Sequence, residues 1–128
     1  MILDSGALIS LERADDSIDG FADESDVAIA AVTASELLVG VELADDAHHR
    51  QRQEFVEGVL QRVEIIAFDL EIARHHAALL AQVRDQGRPR GAHDLQIAAT
   101  ARATKRTLIT TDWSAFTDLL GVNYRLAR

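Results

Sequence analysis

Short apolar runs alternate with longer amphipathic segments along the whole chain. The first run, Met1 to Leu3, contains no polar residue, which is typical of a strand buried on both faces of a parallel sheet. Because the later runs also alternate with helical patterns, the sequence predicts a three-layer α/β fold with a central parallel sheet. The other predicted strands are 27–30, 63–68, 107–110 and, at a sheet edge, 122–126.

Helices are predicted between these strands. The first begins after Asp4, where Ser5 and Gly6 allow a tight turn, and its apolar positions Leu8, Ile9 and Leu11 should face the sheet. The acid-rich stretch 14–26 fits either a short amphipathic helix or a loop. The remaining predicted helices start at Thr33 as N-cap, cover about 49–60, run from Asp69 as N-cap to Gly87, run from 91 or 92 to 105, and cover 113–119.

Composition indicates one globular domain spanning residues 1–128. Apolar residues make up 48% of the 128 residues and charged residues 27%, and no linker-like segment divides the chain. The absence of cysteine excludes disulfides, thiolate metal sites and a cysteine nucleophile. No run approaches the roughly 18 apolar residues of a membrane span, and the basic start of a signal peptide is missing. We therefore expect a cytoplasmic protein without a membrane partner.

Charge is distributed unevenly along the chain. The net charge is −8, yet residues 1–83 carry 17 acidic and 5 basic side chains whereas residues 84–128 carry 4 acidic and 8 basic. Arg88 and Arg90 belong to this basic end, and we predict that they hold the backbone of a polyanion such as RNA. Arg102 and Lys105 are better explained as a solvated helix face.

Four acids lie where strand ends and helix starts should meet. Asp4 ends the first strand, Glu36 follows the second, Asp94 opens a helix, and Asp112 follows the fourth strand. Each alone is explained by helix capping, including a capping box between Thr33 and Glu36. Together they indicate a shared crevice at the carboxyl ends of the strands, where several carboxylates stay ionised only with a cation. Oxygen ligands favour Mg²⁺ or Mn²⁺.

Four sequence blocks also resemble a known family. They are Asp4-Ser5-Gly6-Ala7-Leu8-Ile9, Thr33-Ala34-Ser35-Glu36-Leu37 with Gly40, Asp94 to Ala101, and Leu108-Ile109-Thr110-Thr111-Asp112. In order and spacing they resemble PIN-domain ribonucleases, and among these the VapC toxins of bacterial toxin–antitoxin pairs. The resemblance implies a PIN-domain fold with about five parallel strands, and an Mg²⁺- or Mn²⁺-dependent endoribonuclease that cuts structured RNA, tRNA or rRNA, and so inhibits translation. It also implies a VapB-type antitoxin partner and a homodimer, for which helices 49–60 or 69–83 offer an interface.

The resemblance carries site roles over position by position. Asp4, Glu36, Asp94 and Asp112 match the catalytic, metal-binding acids, and Ser5 and Thr110 match supporting hydroxyl positions. We expect Asp4 and Asp94 to hold the principal metal, with Glu36 and Asp112 orienting its waters or supporting a second ion. In two departures, many relatives have Asn in place of Asp112 and His or Asp in place of Ala115. Asp112, the fourth proposed ligand, is accordingly the one that the family pattern supports least.

Specific residues also bear on other possible functions. Residues 15–26 partly match a calcium-binding EF-hand loop but end in Asp rather than Glu and have no second hand to pair with. A catalytically inactive PIN-like module that only binds a partner would retain the fold, although such modules usually lose the acids first. The pairs His48-His49 and His75-His76 lack zinc spacing and are predicted at the surface. His93 precedes Asp94 and could touch a phosphate, but a solvent-exposed position at the helix start is the favoured explanation. An aspartyl phosphatase would need a second Asp where this chain has Gly6.

Overall fold

All five predicted strands form one parallel sheet in the computed structural model, which describes residues 1–14 and 26–127. The strands are β1 (Ile2–Leu3), β2 (Ala28–Ala30), β3 (Glu64–Ile66), β4 (Leu108–Thr110) and β5 (Tyr124–Leu126). Their order in the sheet is β3-β2-β1-β4-β5, and every neighbouring pair is parallel. Because β1 is central, its carboxyl end lies between those of β2 and β4.

Helices cover both faces of the sheet, which confirms the predicted three-layer α/β fold. The helices are α1 (Ser5–Arg13), α2 (Ala31–Leu43), α3 (His49–Arg62), α4 (Leu70–Gln86) and α5 (Ala92–Thr104); a 3₁₀ turn at Trp113–Ala115 follows β4. On one face of the sheet, α1, α2 and α3 pack over Leu3 and Ile109, and on the other face α4 and α5 pack over Ile2 and Leu108. Ile97 and its small neighbours on α5 are fully buried there.

Several helix ends follow local sequence signals. Asp69 caps α4 as predicted, because its Oδ1 accepts a hydrogen bond from the Ile72 amide at 2.9 Å. Gly87 ends α4 in the left-handed conformation, with φ of 66°.

Within the described part of the chain, no helix is both long and apolar enough to cross a membrane.

The predicted capping box at Thr33 is wrong. Helix α2 begins at Ala31, directly after β2, and Ala30 is an N-cap without a side-chain hydrogen bond. Thr33 therefore lies inside the first turn and is fully buried, and Glu36 lies in the second turn rather than the first. The strand leads straight into the helix, so no loop residue is left to act as a cap.

Other boundaries also differ from the prediction. The strands are shorter than the apolar runs, because Val27 and Val63 are buried without joining the sheet. The helix predicted over 113–119 is only one 3₁₀ turn, since Asp118 has a φ of 60° that a right-handed helix does not allow. On α1, the fully buried positions are Ala7 and Leu8 rather than Ile9 or Leu11. The helix-or-loop prediction for 14–26 and the calcium loop lie almost entirely outside the described residues.

Candidate active site

Asp4 occupies the centre of the candidate site, at the carboxyl end of β1. It caps α1, because its Oδ1 accepts a hydrogen bond from the Ala7 amide at 2.8 Å, and its Oδ2 accepts one from the Thr110 hydroxyl. The side chain is only 7% exposed. Burial raises the pKa of Asp4 in spite of these hydrogen bonds, and the negative charge of Asp112 adds to the rise. Asp4 is thus a firmly held carboxylate that is costly to ionise.

Thr110 connects Asp4 to the next acid along the sheet. This buried residue at the end of β4 donates to Asp4 and accepts from the Asp112 amide at 2.9 Å. Asp112 in turn caps the 3₁₀ turn, where its Oδ1 accepts from the Ser114 amide at 3.1 Å and the Ser114 hydroxyl at 2.6 Å. One oxygen of Asp112 is therefore engaged within its own loop, and the predicted supporting position Thr110 contacts two of the four acids.

Asp94 experiences the charge of all three other acids. It lies in the first turn of α5, and its pKa is raised mainly by burial and then by repulsion from Glu36, Asp112 and Asp4, while His93 lowers it. A Cβ added at Gly91 would lie 2.9 Å from Asp94 Oδ2, so the carboxylate folds back over the glycine. The structure therefore brings the four predicted acids into one electrostatic cluster.

Glu36 reaches this cluster from α2. Its Oε1 is buried without a hydrogen-bond partner among the described residues, and its Oε2 lies 3.8 Å from His93 Nδ1. The Thr33 hydroxyl, one helical turn earlier, is also buried without a partner there. Buried polar atoms without partners are rare in folded proteins and call for an explanation such as an ion or water.

A hard divalent cation fits this donor set. The four acids offer only oxygen ligands, they repel one another, and Glu36 keeps a buried oxygen free for a partner. Among residues 1–14 and 26–127, no three acidic, histidine or cysteine side chains are close enough to enclose an ion as they stand. Because Asp4 is firmly held, the other carboxylates would have to approach it to bind one, which is the change that a cation between like charges favours.

One close approach near the acids carries no strong sequence signal. A Cβ at Gly6 would lie 2.5 Å from Thr111 Oγ1 and 3.5 Å from Asp4 Oδ1, so any larger residue in the first turn of α1 would displace the exposed Thr111 side chain. Only the placement of Gly6 two residues after a strand-ending acid could have suggested this close approach. Ser5, the second supporting position, is half-buried at the start of α1.

The predicted RNA-binding arginines both contact the loop after β4. Arg88 donates from Nη2 to the Ser114 carbonyl at 2.7 Å, and Arg90 donates from Nη2 to the Thr117 carbonyl at 2.8 Å. Arg90 also donates from Nη1 to the Arg88 carbonyl at 2.7 Å. These hydrogen bonds give both side chains a role inside the protein that the charge pattern did not reveal.

The histidines divide into two groups. His48 and His49 are exposed, as predicted, and His48 Nδ1 lies 2.6 Å from Asp45 Oδ1. His75 and His76 are partly exposed on α4, and His76 packs edge-on against Phe68 with ring centroids 5.6 Å apart. This packing gives His76 a structural role.

A sequence model of the PIN domain matches residues 1–119, which is most of the chain. The chain belongs to the PIN-domain family. A ribonuclease VapC of Rickettsia bellii (strain RML369-C) is 28% identical to this PIN domain over 117 residues, covering 91% of this chain and 87% of the relative. A tRNA(fMet)-specific endonuclease VapC of Shigella flexneri is 30% identical over 88 residues, covering 69% of this chain and 65% of the relative.

Solved structures of VapBC complexes share the fold of this PIN domain. The DNA-bound VapBC of Salmonella typhimurium contains a chain that superposes with a TM-score of 0.88 at 23% identity, covering 99% of this chain and 97% of that one. VapBC-5 of Mycobacterium tuberculosis gives a TM-score of 0.76 at 29% identity, covering 99% and 96%. The PIN-domain resemblance first seen in the four sequence blocks is thereby confirmed.

Proposed function

We propose that residues 1–128 form one catalytic PIN domain, a metal-dependent endoribonuclease that acts as the toxin of a VapBC-type toxin–antitoxin pair. The observation that carries the proposal is the shared electrostatic field of Asp4, Glu36, Asp94 and Asp112 at the carboxyl ends of neighbouring strands. The names of similar proteins, ribonuclease VapC and tRNA(fMet)-specific endonuclease VapC, support the same activity.

In the proposed mechanism, Asp4 and Asp94 would hold a principal Mg²⁺ or Mn²⁺, and Glu36 and Asp112 would orient its waters or support a second ion. When bound, such an ion supplies charge neutralisation at the phosphate and a more acidic water. The hydrogen bonds from the Ala7 amide and the Thr110 hydroxyl fix the direction of the Asp4 carboxylate before substrate arrives. Ser114 does the same for one oxygen of Asp112, Oδ1. Attack by water on the phosphodiester would leave a 5′-phosphate and a 3′-hydroxyl.

The proposed substrate is structured RNA, either tRNA or rRNA, whose cleavage inhibits translation in the cytoplasm. One relative is named for a tRNA, which supports this class. Arg88, with a side chain 44% exposed beside the site, is the proposed contact for the RNA backbone. The proposed partner is a VapB-type antitoxin, because the similar solved structures are VapBC complexes, and the proposed oligomer is a homodimer.

Cleavage of purified tRNA and rRNA with Mg²⁺ or Mn²⁺ tests the proposal. The wild-type protein should produce discrete cuts that Asp94→Asn abolishes. Asp46→Asn is the matched control, because this exposed carboxylate lies in the loop beyond the far end of α2 from Glu36. Wild-type cleavage by Asp94→Asn under saturating Mg²⁺ would refute the site assignment. No cleavage of either RNA with either metal would favour a PIN-like protein that only binds a partner.

A further inference from the structure

Two segments outside the regular elements set the position of two candidate ligands. Residues 87–91 lead into α5 and thus into Asp94, and residues 111–120 follow β4 and carry Asp112. The two carboxylates repel each other. Without a restraint, this repulsion would push the segments apart whenever no cation lies between them.

Side chains of α4 and of the loop after α4 form hydrogen bonds with the second segment, residues 111–120. Arg90 bridges two backbone carbonyls, those of Arg88 at 2.7 Å and Thr117 at 2.8 Å, and Arg88 donates to the Ser114 carbonyl at 2.7 Å. Further along, Gln82 donates from Nε2 to the Asp118 carbonyl at 2.9 Å, and its Oε1 accepts from the Leu120 amide at 3.1 Å. The segment contains only one 3₁₀ turn of its own, and besides these hydrogen bonds it is held by Ala115, Phe116 and Leu119, which are buried in the core.

The hydrogen bonds that Arg88 and Arg90 make with residues 111–120 are called the clamp here. One of them connects to Asp112 through Ser114. The residue whose carbonyl Arg88 binds is Ser114, and the amide and hydroxyl of Ser114 both donate to Asp112 Oδ1, at 3.1 Å and 2.6 Å. On the other side, Arg90 is followed by Gly91, over which the Asp94 carboxylate folds. Each end of the clamp is therefore within a few residues of one candidate ligand.

We propose that Arg90 is a positioning residue that fixes the separation of Asp94 and Asp112 by joining the segment before α5 to the segment after β4. The inference rests on the proposed function, since it assigns a role toward the metal. The proposed role depends on the planar shape of the Arg90 guanidinium. Two of its N–H groups donate to two carbonyls, an arrangement that the single ammonium of lysine does not reproduce. Its side chain is partly buried with Nε enclosed, which suits a structural fork better than a mobile phosphate contact.

Mn²⁺ titration of the protein without RNA tests this role. Arg90→Lys keeps the charge and removes the fork, so the Mn²⁺ affinity should fall about 10-fold, the lower end of what partners that orient ligands contribute. The matched control is Arg84→Lys, because Arg84 is exposed in the last turn of α4, and its affinity should equal that of the wild type.

A double-mutant cycle separates positioning from general damage. If Arg90 acts through Asp112, Arg90→Lys should change the Mn²⁺ affinity little once Asp112→Asn is present. Independent, multiplying losses would overturn the proposal, as would an Arg90→Lys affinity equal to that of the wild type. If Arg90→Lys does not fold, Arg88→Lys probes the same clamp through the Ser114 carbonyl, with the same expectation for RNA-free Mn²⁺ binding.

RNA binding distinguishes the alternative role of Arg90. If Arg90 contacts phosphate instead, Arg90→Met should weaken RNA affinity and reduce its salt dependence by about one unit of slope while Mn²⁺ affinity stays unchanged; that result would refute the positioning role. Failure of the wild type itself to bind Mn²⁺ would refute the proposed function. Wild-type binding and cleavage with an unaffected Arg90→Lys would refute only the inference about Arg90.

Discussion

Replacing Asp94 by asparagine should stabilise the metal-free protein even though it destroys the proposed metal site. Burial and then the charges of Glu36, Asp112 and Asp4 raise the folded-state pKa of Asp94, so folding penalises its ionised form. The penalty is therefore present at neutral pH and disappears as the pH falls through the raised pKa. Asparagine has nearly the same shape and no charge, so it removes the penalty at every pH.

The size of the effect follows from how exposed the carboxylate is. Asp94 is only half-buried, so solvent screens part of the repulsion, and we expect a gain of about 0.5–1 kcal/mol, the low end for relieving an unfavourable charge. For a chain of 128 residues, this free energy raises the melting temperature by about 2–4 °C.

Thermal unfolding in chelator at neutral pH measures this gain. The melting temperature of Asp94→Asn should lie above that of the wild type, and that of Asp46→Asn should equal the wild-type value. The difference between Asp94→Asn and the wild type should narrow as the pH falls. Excess Mn²⁺ should reverse the order, because a ligand at 100 times its Kd stabilises the wild type by about 2.7 kcal/mol. An Asp94→Asn protein that melts below the wild type in chelator, or gains as much from Mn²⁺, would refute the reasoning.

Two further predictions concern packing and capping. Gly6→Ala should destabilise the protein by about 0.5–1 kcal/mol relative to Gly40→Ala in urea unfolding, because its Cβ would lie 2.5 Å from Thr111 Oγ1 and displace that side chain, whereas a Cβ at Gly40 would have no contact closer than 3.6 Å. Equal stabilities would contradict the close approach. Asp69→Ala should cost about 1 kcal/mol by removing the cap on the Ile72 amide, and an unchanged urea midpoint would show that this cap contributes nothing.

The fold was predictable because its signals are local. Asp4 and Asp69 each cap the helix that follows, and both were predicted from a short polar residue before an apolar helical pattern. The same rule wrongly predicts Thr33 as an N-cap, because β2 leads into α2 without a loop and the helix begins two residues before Thr33. Asp118 ended the predicted last helix through a positive φ that the sequence pattern did not mark. Predicted helix boundaries are wrong where the path of the backbone, rather than the local composition, decides where the helix begins or ends.

The acids of the candidate site and the supporting Thr110 were predictable, but the contacts of Arg90 were not. Parallel strands place all carboxyl ends at one edge, so Asp4 and Asp112 were expected to meet, and the central position of β1 brings them together. Arg90 could not be foreseen, because its acceptor, the Thr117 carbonyl, is 27 residues away and any residue type supplies a carbonyl. The charge of Arg90 suggested RNA, whereas its contacts are with the protein's own backbone.

The central claim is that the four acids form a metal-dependent site for RNA hydrolysis. The most direct measurement is cleavage of tRNA and rRNA by protein stripped with chelator and then titrated with Mn²⁺, with the ends of the products identified. The account predicts no cleavage without metal, recovery as Mn²⁺ is added, and products with 5′-phosphate and 3′-hydroxyl ends. Undiminished cleavage by the stripped protein, or products with 2′,3′-cyclic phosphate ends, would contradict it.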